Sequence, residues 1–156
     1  MVKVLFVCLG NICRSPLAEA IFSYKIRESG LQSMISTDSA GTANYHVGER
    51  PDPRTVQTAN KYGIEVNHFG QQFKKKHERE FTYLIAMDRS NHQNMINEMG
   101  KESDFLFLMR EFDPLGKGQD VPDPWYGGMN GFEEVYQILD RSTDEFMNFI
   151  RKKHNL

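Results

Sequence analysis

The stretch Cys8-Leu9-Gly10-Asn11-Ile12-Cys13-Arg14-Ser15 holds a thiol and, six residues later, a guanidinium. It follows the apolar run Val4-Leu5-Phe6-Val7 and leads into Pro16-Leu17-Ala18-Glu19-Ala20, so it reads as a buried strand, a short loop and the opening of a helix. Ser15 is expected as the N-cap and Pro16 as the first helical residue, where a missing N–H costs nothing. Such a loop gathers backbone N–H groups at the positive end of a helix, which makes an anion site. A thiolate, not a thiol, is the nucleophile, and helix N-termini and neighbouring guanidinium groups favour the anion. The same donors suit phosphate oxygens, and the planar fork of Arg14 can hold two of them. Ser15 is placed to donate to the sulfur when it leaves. Phosphoryl chemistry is the reaction these types and spacings fit.

Rival phosphate loops fit poorly. The nucleotide-binding loop G-x-x-x-x-G-K-[ST] needs a second Gly and a Lys that are absent here, and a dinucleotide fingerprint needs three spaced glycines where this loop has Gly10 alone. A second candidate lies far along the chain in Val121-Pro122-Asp123-Pro124-Trp125-Tyr126-Gly127. There Asp123 is a carboxyl group between two prolines that restrict its backbone. Gly10 and Asn11 suit a tight loop with unusual backbone angles, because Asn tolerates the left-handed region.

The elements that must position these groups read as a doubly wound α/β fold. Val2–Val7, Met34–Ser39, Tyr83–Met87 and Phe105–Met109 are expected strands, with the first apolar on both faces as a covered parallel strand should be. Helices are expected from Pro16 to Gly30, Arg54 to Tyr62, Ser90 to Met99 and Phe132 to Lys153, with Ile64–Val66 as a brief extended piece. The mixed charges from Lys74 to Glu80 read as a solvated helical face. Four buried strands alternating with helices predict a three-layer sandwich around a four-stranded parallel sheet. Ligands bind such sheets beyond the carboxyl ends of the strands. Cys8, Ser39 and Asp88 fall there.

At 156 residues, the chain has the size of one domain, residues 1–156, with 39% hydrophobic and 26% charged residues and a net charge of -2. This balance argues against general nucleic-acid binding, and no apolar run is long enough for a membrane span or a signal peptide. Two cysteines, with four residues between them, point to a reducing, cytoplasmic setting and not to a disulfide scaffold. No metal site and no cofactor are expected.

The form C-L-G-N-I-C-R-S-P near the N-terminus resembles the low-molecular-weight protein tyrosine phosphatases, and the likeness continues at Asp38-Ser39-Ala40-Gly41, Ala86-Met87-Asp88 and Asp123-Pro124-Trp125-Tyr126-Gly127. It covers nearly the whole chain. The resemblance implies the flavodoxin-like, phosphotyrosine protein phosphatase I-like fold and a cofactor-free hydrolase. Cys8 would form a phosphocysteine, with Arg14 and the loop Leu9, Gly10, Asn11, Ile12 and Cys13 binding phosphate and Asp123 acting as general acid and base. Ser39, His68 and Asp88 would support the loop, the first two through the Asn11 side chain. Ile12, Tyr45, His46, Trp125 and Tyr126 would wall the pocket, although the family usually has Trp in place of Tyr45 and Asn in place of His46. In members with a second loop cysteine, that thiol forms a reversible disulfide with the nucleophile under peroxide, which assigns Cys8 and Cys13 a redox role. Phosphotyrosine proteins are the expected substrates, inorganic phosphate and other oxyanions the inhibitors, and the chain is expected to act as a monomer.

Related activities are weighed on the same residues. Arsenate reductases of this fold need relay cysteines beyond Cys8 and Cys13. Protein arginine phosphatases typically carry Thr in place of Ile12 and lack a residue like Tyr126. A non-catalytic phosphate-binding module would lose Cys8, Arg14 or Asp123, and all three are present.

Overall fold

Four strands run parallel in the computed structural model, which describes residues 1–156. They are β1 (Val2–Cys8), β2 (Ile35–Gly41), β3 (Tyr83–Ala86) and β4 (Leu106–Leu108), in the order β2-β1-β3-β4. Cys8 pairs with Gly41 and Val7 with Ala86, so the carboxyl ends of the three longer strands meet at one edge. Five helices surround the sheet: α1 (Arg14–Glu28), α2 (Pro53–Lys61), α3 (His77–Glu80), α4 (Arg89–Met99) and α5 (Gly128–His154).

Strand periodicity sorts the core into two layers. Val4, Phe6 and Cys8 face a cluster with Leu17, Ile21 and Phe22 of α1 and Phe146 and Ile150 of α5. Leu5 and Val7 face the other way, onto Phe73 and onto Met95 and Met99 of α4. The result is the expected three-layer sandwich. The parallel β1 is buried except at Lys3, whose amine lies over the Phe81 ring at 5.2 Å.

Three local expectations are corrected. Helix α1 begins at Arg14 with Cys13 as its N-cap, and Ser15 is not the cap; its hydroxyl is engaged by the loop instead. Ile64–Val66 lies outside the sheet, with Ile64 and Val66 buried and Glu65 exposed. His77 is not part of a solvated face. It is buried and stacked on Phe73 at 5.6 Å, its Nδ1 accepts the Lys74 N–H, and burial holds its pKa below the usual histidine value. Helix α5 starts four residues before Phe132, at Gly128 with φ +62, a left-handed angle that glycine adopts freely.

Phe146 is fully buried, and its ring meets Phe22 at 5.3 Å, Phe112 at 4.9 Å and Tyr83 at 6.0 Å. Phe146→Ala should therefore cost about 3–5 kcal/mol of stability, read as a lower urea midpoint at unchanged slope.

Candidate functional site

The loop after β1 is held open from behind by one residue. Asn11 has φ +58, a left-handed angle that costs most side chains about 1–2 kcal/mol and Asn less. Its buried amide is fully engaged. Oδ1 accepts from Gln71 N–H at 2.9 Å and His68 Nε2 at 2.7 Å, and Nδ2 donates to Ser15 Oγ at 2.8 Å and Ser39 Oγ at 3.0 Å. The Gln71 N–H can only donate, which fixes the orientation of the amide. Gly41 lies beside the loop, where an added Cβ would come within 2.7 Å of Leu9 O.

Behind Asn11 stands a second row. Ser39 Oγ donates to Glu19 at 2.7 Å, and His68 Nδ1 faces Glu19 at 3.1 Å and Asp38 at 3.6 Å. Glu19, Asp38 and His68 are also the one group whose ligand-type atoms lie close enough, within 4.8 Å, to share a cation.

The front of the loop is a different environment. Asn11 N–H donates to Cys8 Sγ at 3.3 Å, and Ser15 Oγ lies 3.0 Å from the sulfur. The N–H groups of Leu9, Gly10, Ile12 and Cys13 make no hydrogen bond within the protein. Buried amides nearly always have partners, so unspent donors around a sulfur at the start of α1 mark an anion cradle. They border a cavity of about 220 Å³ lined by Cys8, Leu9, Gly10, Ile12, Cys13, Arg14, Tyr45, His46, Asp123, Trp125 and Tyr126.

Arg14 crosses the floor of this cavity. Its Nη1 donates to Asp88 Oδ2 at 2.7 Å and to Val121 O at 2.9 Å, while Nη2 lies 3.9 Å from Asp123 Oδ2. Burial lowers the guanidinium pKa, but the charges of Cys8, Asp88 and Asp123 outweigh it and the net shift is upward. Asp88 has two tasks, because its other oxygen caps α4 by accepting Asn91 N–H at 2.7 Å. Asp123 is oriented similarly by accepting Trp125 N–H at 3.0 Å.

The structure thus gathers Cys8, Arg14, Ser15 and Asp123 with the loop residues, and it places Ser39, His68 and Asp88 around them. Tyr45, His46, Trp125 and Tyr126 ring the mouth, with Tyr126 90% exposed. His46 is tied to Glu49 at 3.0 Å and its ring sits against Gly10. Cys13 is buried beside Asp52, and burial, Asp52 and Cys8 push its thiol up to about 12, so it is a thiol across the neutral range. Sequence reasoning missed Glu19, Asp38 and Gln71. Glu19 reads as an ordinary helix residue, and Gln71 acts through its backbone; Asp38 alone, beside Ser39 at a strand end, carries a usable signal.

A crossover sheet with an anion-binding thiol loop at its carboxyl edge defines a class of phosphate-handling α/β proteins. Within it, residues 3–156 match the model of the low molecular weight phosphotyrosine protein phosphatase family, and the chain belongs to that family of hydrolases. It is 42% identical over 147 residues to the low molecular weight phosphotyrosine protein phosphatase of Schizosaccharomyces pombe, covering 92% of this chain and 94% of that one. A protein tyrosine phosphatase structure from Entamoeba histolytica superposes with a TM-score of 0.93 at 33% identity, covering 99% of both chains. A Drosophila arginine phosphatase superposes with a TM-score of 0.87 at 30% identity, over 96% of this chain and 98% of that one.

The Asn11 arrangement separates two roles by substitution. Asn11→Gly keeps the left-handed angle but loses the amide bonds, while Asn11→Ala loses both. Vanadate affinity should fall in both variants and should fall further in Asn11→Ala, by about five- to thirty-fold for the extra 1–2 kcal/mol. Calorimetric titration with vanadate measures the order.

Proposed function

We propose that this chain, as a single domain of residues 1–156, hydrolyses phosphotyrosine and small aryl phosphates through a phosphocysteine on Cys8. The observation that carries this reading is the meeting of a thiol, a buried guanidinium and a carboxyl group around one cavity edged by free amides.

In the first step Cys8 Sγ attacks phosphorus opposite the ester oxygen. The S–P bond forms as the P–O(aryl) bond breaks, and Asp123 gives its proton to the departing phenolate. Arg14 and the loop N–H groups hold the three equatorial oxygens, where charge is spread in the transition state. Their placement is fixed before substrate arrives, because Arg14 is already tied to Asp88 and Val121 O. In the second step Asp123 takes a proton from water, the water oxygen bonds to phosphorus, and the S–P bond breaks. Ser15 Oγ, beside the sulfur, donates to the leaving thiolate.

Wall chemistry favours phosphotyrosine. Ile12, Tyr45, Trp125 and Tyr126 offer apolar and aromatic faces at the cavity, and each aromatic contact is worth about 0.5–1.5 kcal/mol beyond burial. Inorganic phosphate and other oxyanions inhibit by occupying the cradle. Phosphoarginine is the competing substrate, since an arginine phosphatase shares the fold at 30% identity; Ile12 and Tyr126 weigh towards the aryl ester. Matched phosphotyrosine and phosphoarginine peptides separate the two, with faster turnover of phosphotyrosine expected. The chain acts as a monomer in a reducing, cytoplasmic compartment. Under peroxide, the Cys8 sulfur breaks the O–O bond and takes one oxygen as a sulfenic acid, the other leaving as water, and the Cys13 thiol then displaces a second water to form the Cys8–Cys13 disulfide. No helix is long and apolar enough to cross a membrane.

Cys8→Ser should abolish hydrolysis of p-nitrophenyl phosphate while vanadate still binds. Asp123→Ala should slow phenyl phosphate by about 10²–10⁴-fold and p-nitrophenyl phosphate far less, because the nitrophenolate leaves without a proton. Wild-type rates in Cys8→Ser would refute the mechanism.

A further inference from the structure

Asp123 rides on a segment with few anchors. Val121 is fixed at both ends of its peptide unit, with its N–H on Met87 O at 2.9 Å and its carbonyl on Arg14. Beyond it, apart from the local turn bond of Gly127 N–H to Pro124 O at 2.9 Å, residues 122–126 receive one hydrogen bond from elsewhere in the chain. It comes from Arg54, whose Nη1 donates to Trp125 O at 3.4 Å. The same guanidinium lies over the Trp125 ring at 5.3 Å and over Phe132 at 4.6 Å. Trp125 is also the residue whose N–H orients the Asp123 carboxyl group.

The other edge of Arg54 is locked to Asp52. Nε and Nη2 donate to its two oxygens at 3.1 and 2.8 Å, and the Arg54 N–H donates to Oδ1 at 2.8 Å. This holds the Asp52 pKa below the usual carboxylate range. Asp52 is buried and belongs to the foundation of the phosphate cradle, since its N–H donates to Ile12 O at 2.8 Å. Thr55, one helical step on, donates to Cys13 O at 3.4 Å. Phe132 packs on Ile12 and Cys13 in a small cluster of its own. Arg54 therefore spans the two halves of the site. One edge is fixed to the residue that props the loop, and its face holds the residue that aims the acid.

We infer that Arg54 is a positioning residue that clamps the acid-bearing segment 121–127 over the phosphate loop, setting the distance from Asp123 to the ester oxygen. It does not line the cavity; its link to the acid runs through Trp125, whereas the link of Asp52 to the loop is a backbone N–H on Ile12 O that does not involve the guanidinium. The inference rests on Asp123 being the acid. A planar guanidinium stacks and pairs at once, whereas an ammonium on a flexible stem cannot. Misplacing a catalytic group by about 1 Å can cost up to 10²-fold.

The test compares Arg54→Ala, Arg54→Lys and Asp123→Ala with the parent protein on phenyl phosphate and p-nitrophenyl phosphate, together with vanadate affinity and melting temperature. Arg54→Ala should lower kcat for phenyl phosphate by about ten- to a hundred-fold and leave p-nitrophenyl phosphate within about three-fold. Vanadate affinity should be unchanged, and Arg54→Lys should fail to restore the phenyl phosphate rate. A purely structural residue would lower both substrates together and weaken vanadate in step, and that result overturns the inference. So does an Arg54→Ala protein with no substrate-selective loss beside an Asp123→Ala protein that has one, an outcome that leaves the mechanism standing. If Asp123→Ala itself shows no selectivity, the acid assignment fails and the clamp fails with it.

Discussion

The left-handed turn at Asn11 is the constraint on which the rest of the site depends. At φ +58 the chain reverses tightly enough that Asn11 N–H comes back onto Cys8 Sγ and its neighbours' N–H groups are left without protein partners. That conformation is intrinsically unfavourable for a side-chain-bearing residue. It persists because every polar atom of the Asn11 amide is satisfied by four different parts of the fold: Ser15, Ser39, His68 and Gln71. Each buried bond is worth about 0.5–1.5 kcal/mol, so together they exceed the backbone cost. The loop is rigid by over-determination, and a rigid cradle meets developing charge without rearranging first.

The parallel sheet explains why such distant residues can cooperate. Cys8, Gly41 and Ala86 end adjacent strands, and the segment leaving each strand passes within reach of the same cavity. Arg14 uses this convergence, linking the first helix to Asp88 after β3 and to Val121 two residues before Asp123. A guanidinium this deeply buried needs its partners, because stripping one from a buried pair typically costs about 3–5 kcal/mol. Stability and placement of the site are therefore coupled through one side chain. Asp52 and Arg54 form a parallel connection on the other wall, from the carbonyl of Ile12 to the ring of Trp125.

Much of this is legible in the sequence where local chemistry is unambiguous. An apolar run ending at Cys8, with Arg14 beyond a short loop, leaves few alternatives to a buried strand and an anion site. Asp123 between prolines announces a carboxyl group on a restricted backbone. Ser15 misleads because a hydroxyl before Pro is the usual sign of an N-cap, and only the folded loop reveals that it instead accepts from Asn11 Nδ2 and donates to Ala40 O. His77 misleads because its neighbours carry mixed charges, while the aromatic slot that takes it, between Phe73 and Phe81, is built by tertiary packing. Glu19, Gln71 and Arg54 give no signal at all, since a helical carboxylate, a backbone N–H and a surface arginine look ordinary until the elements meet.

The covalent role of Cys8 is the claim to which all these arrangements lead. Its most direct measurement is rapid denaturation of the enzyme during steady turnover of an aryl phosphate, with phosphorus NMR and peptide mapping of the trapped protein. A single phosphoryl group bound through sulfur at Cys8 is expected, and it should disappear when substrate is exhausted. A burst of phenol with no phosphorylated protein, or phosphate on any other residue, would contradict it.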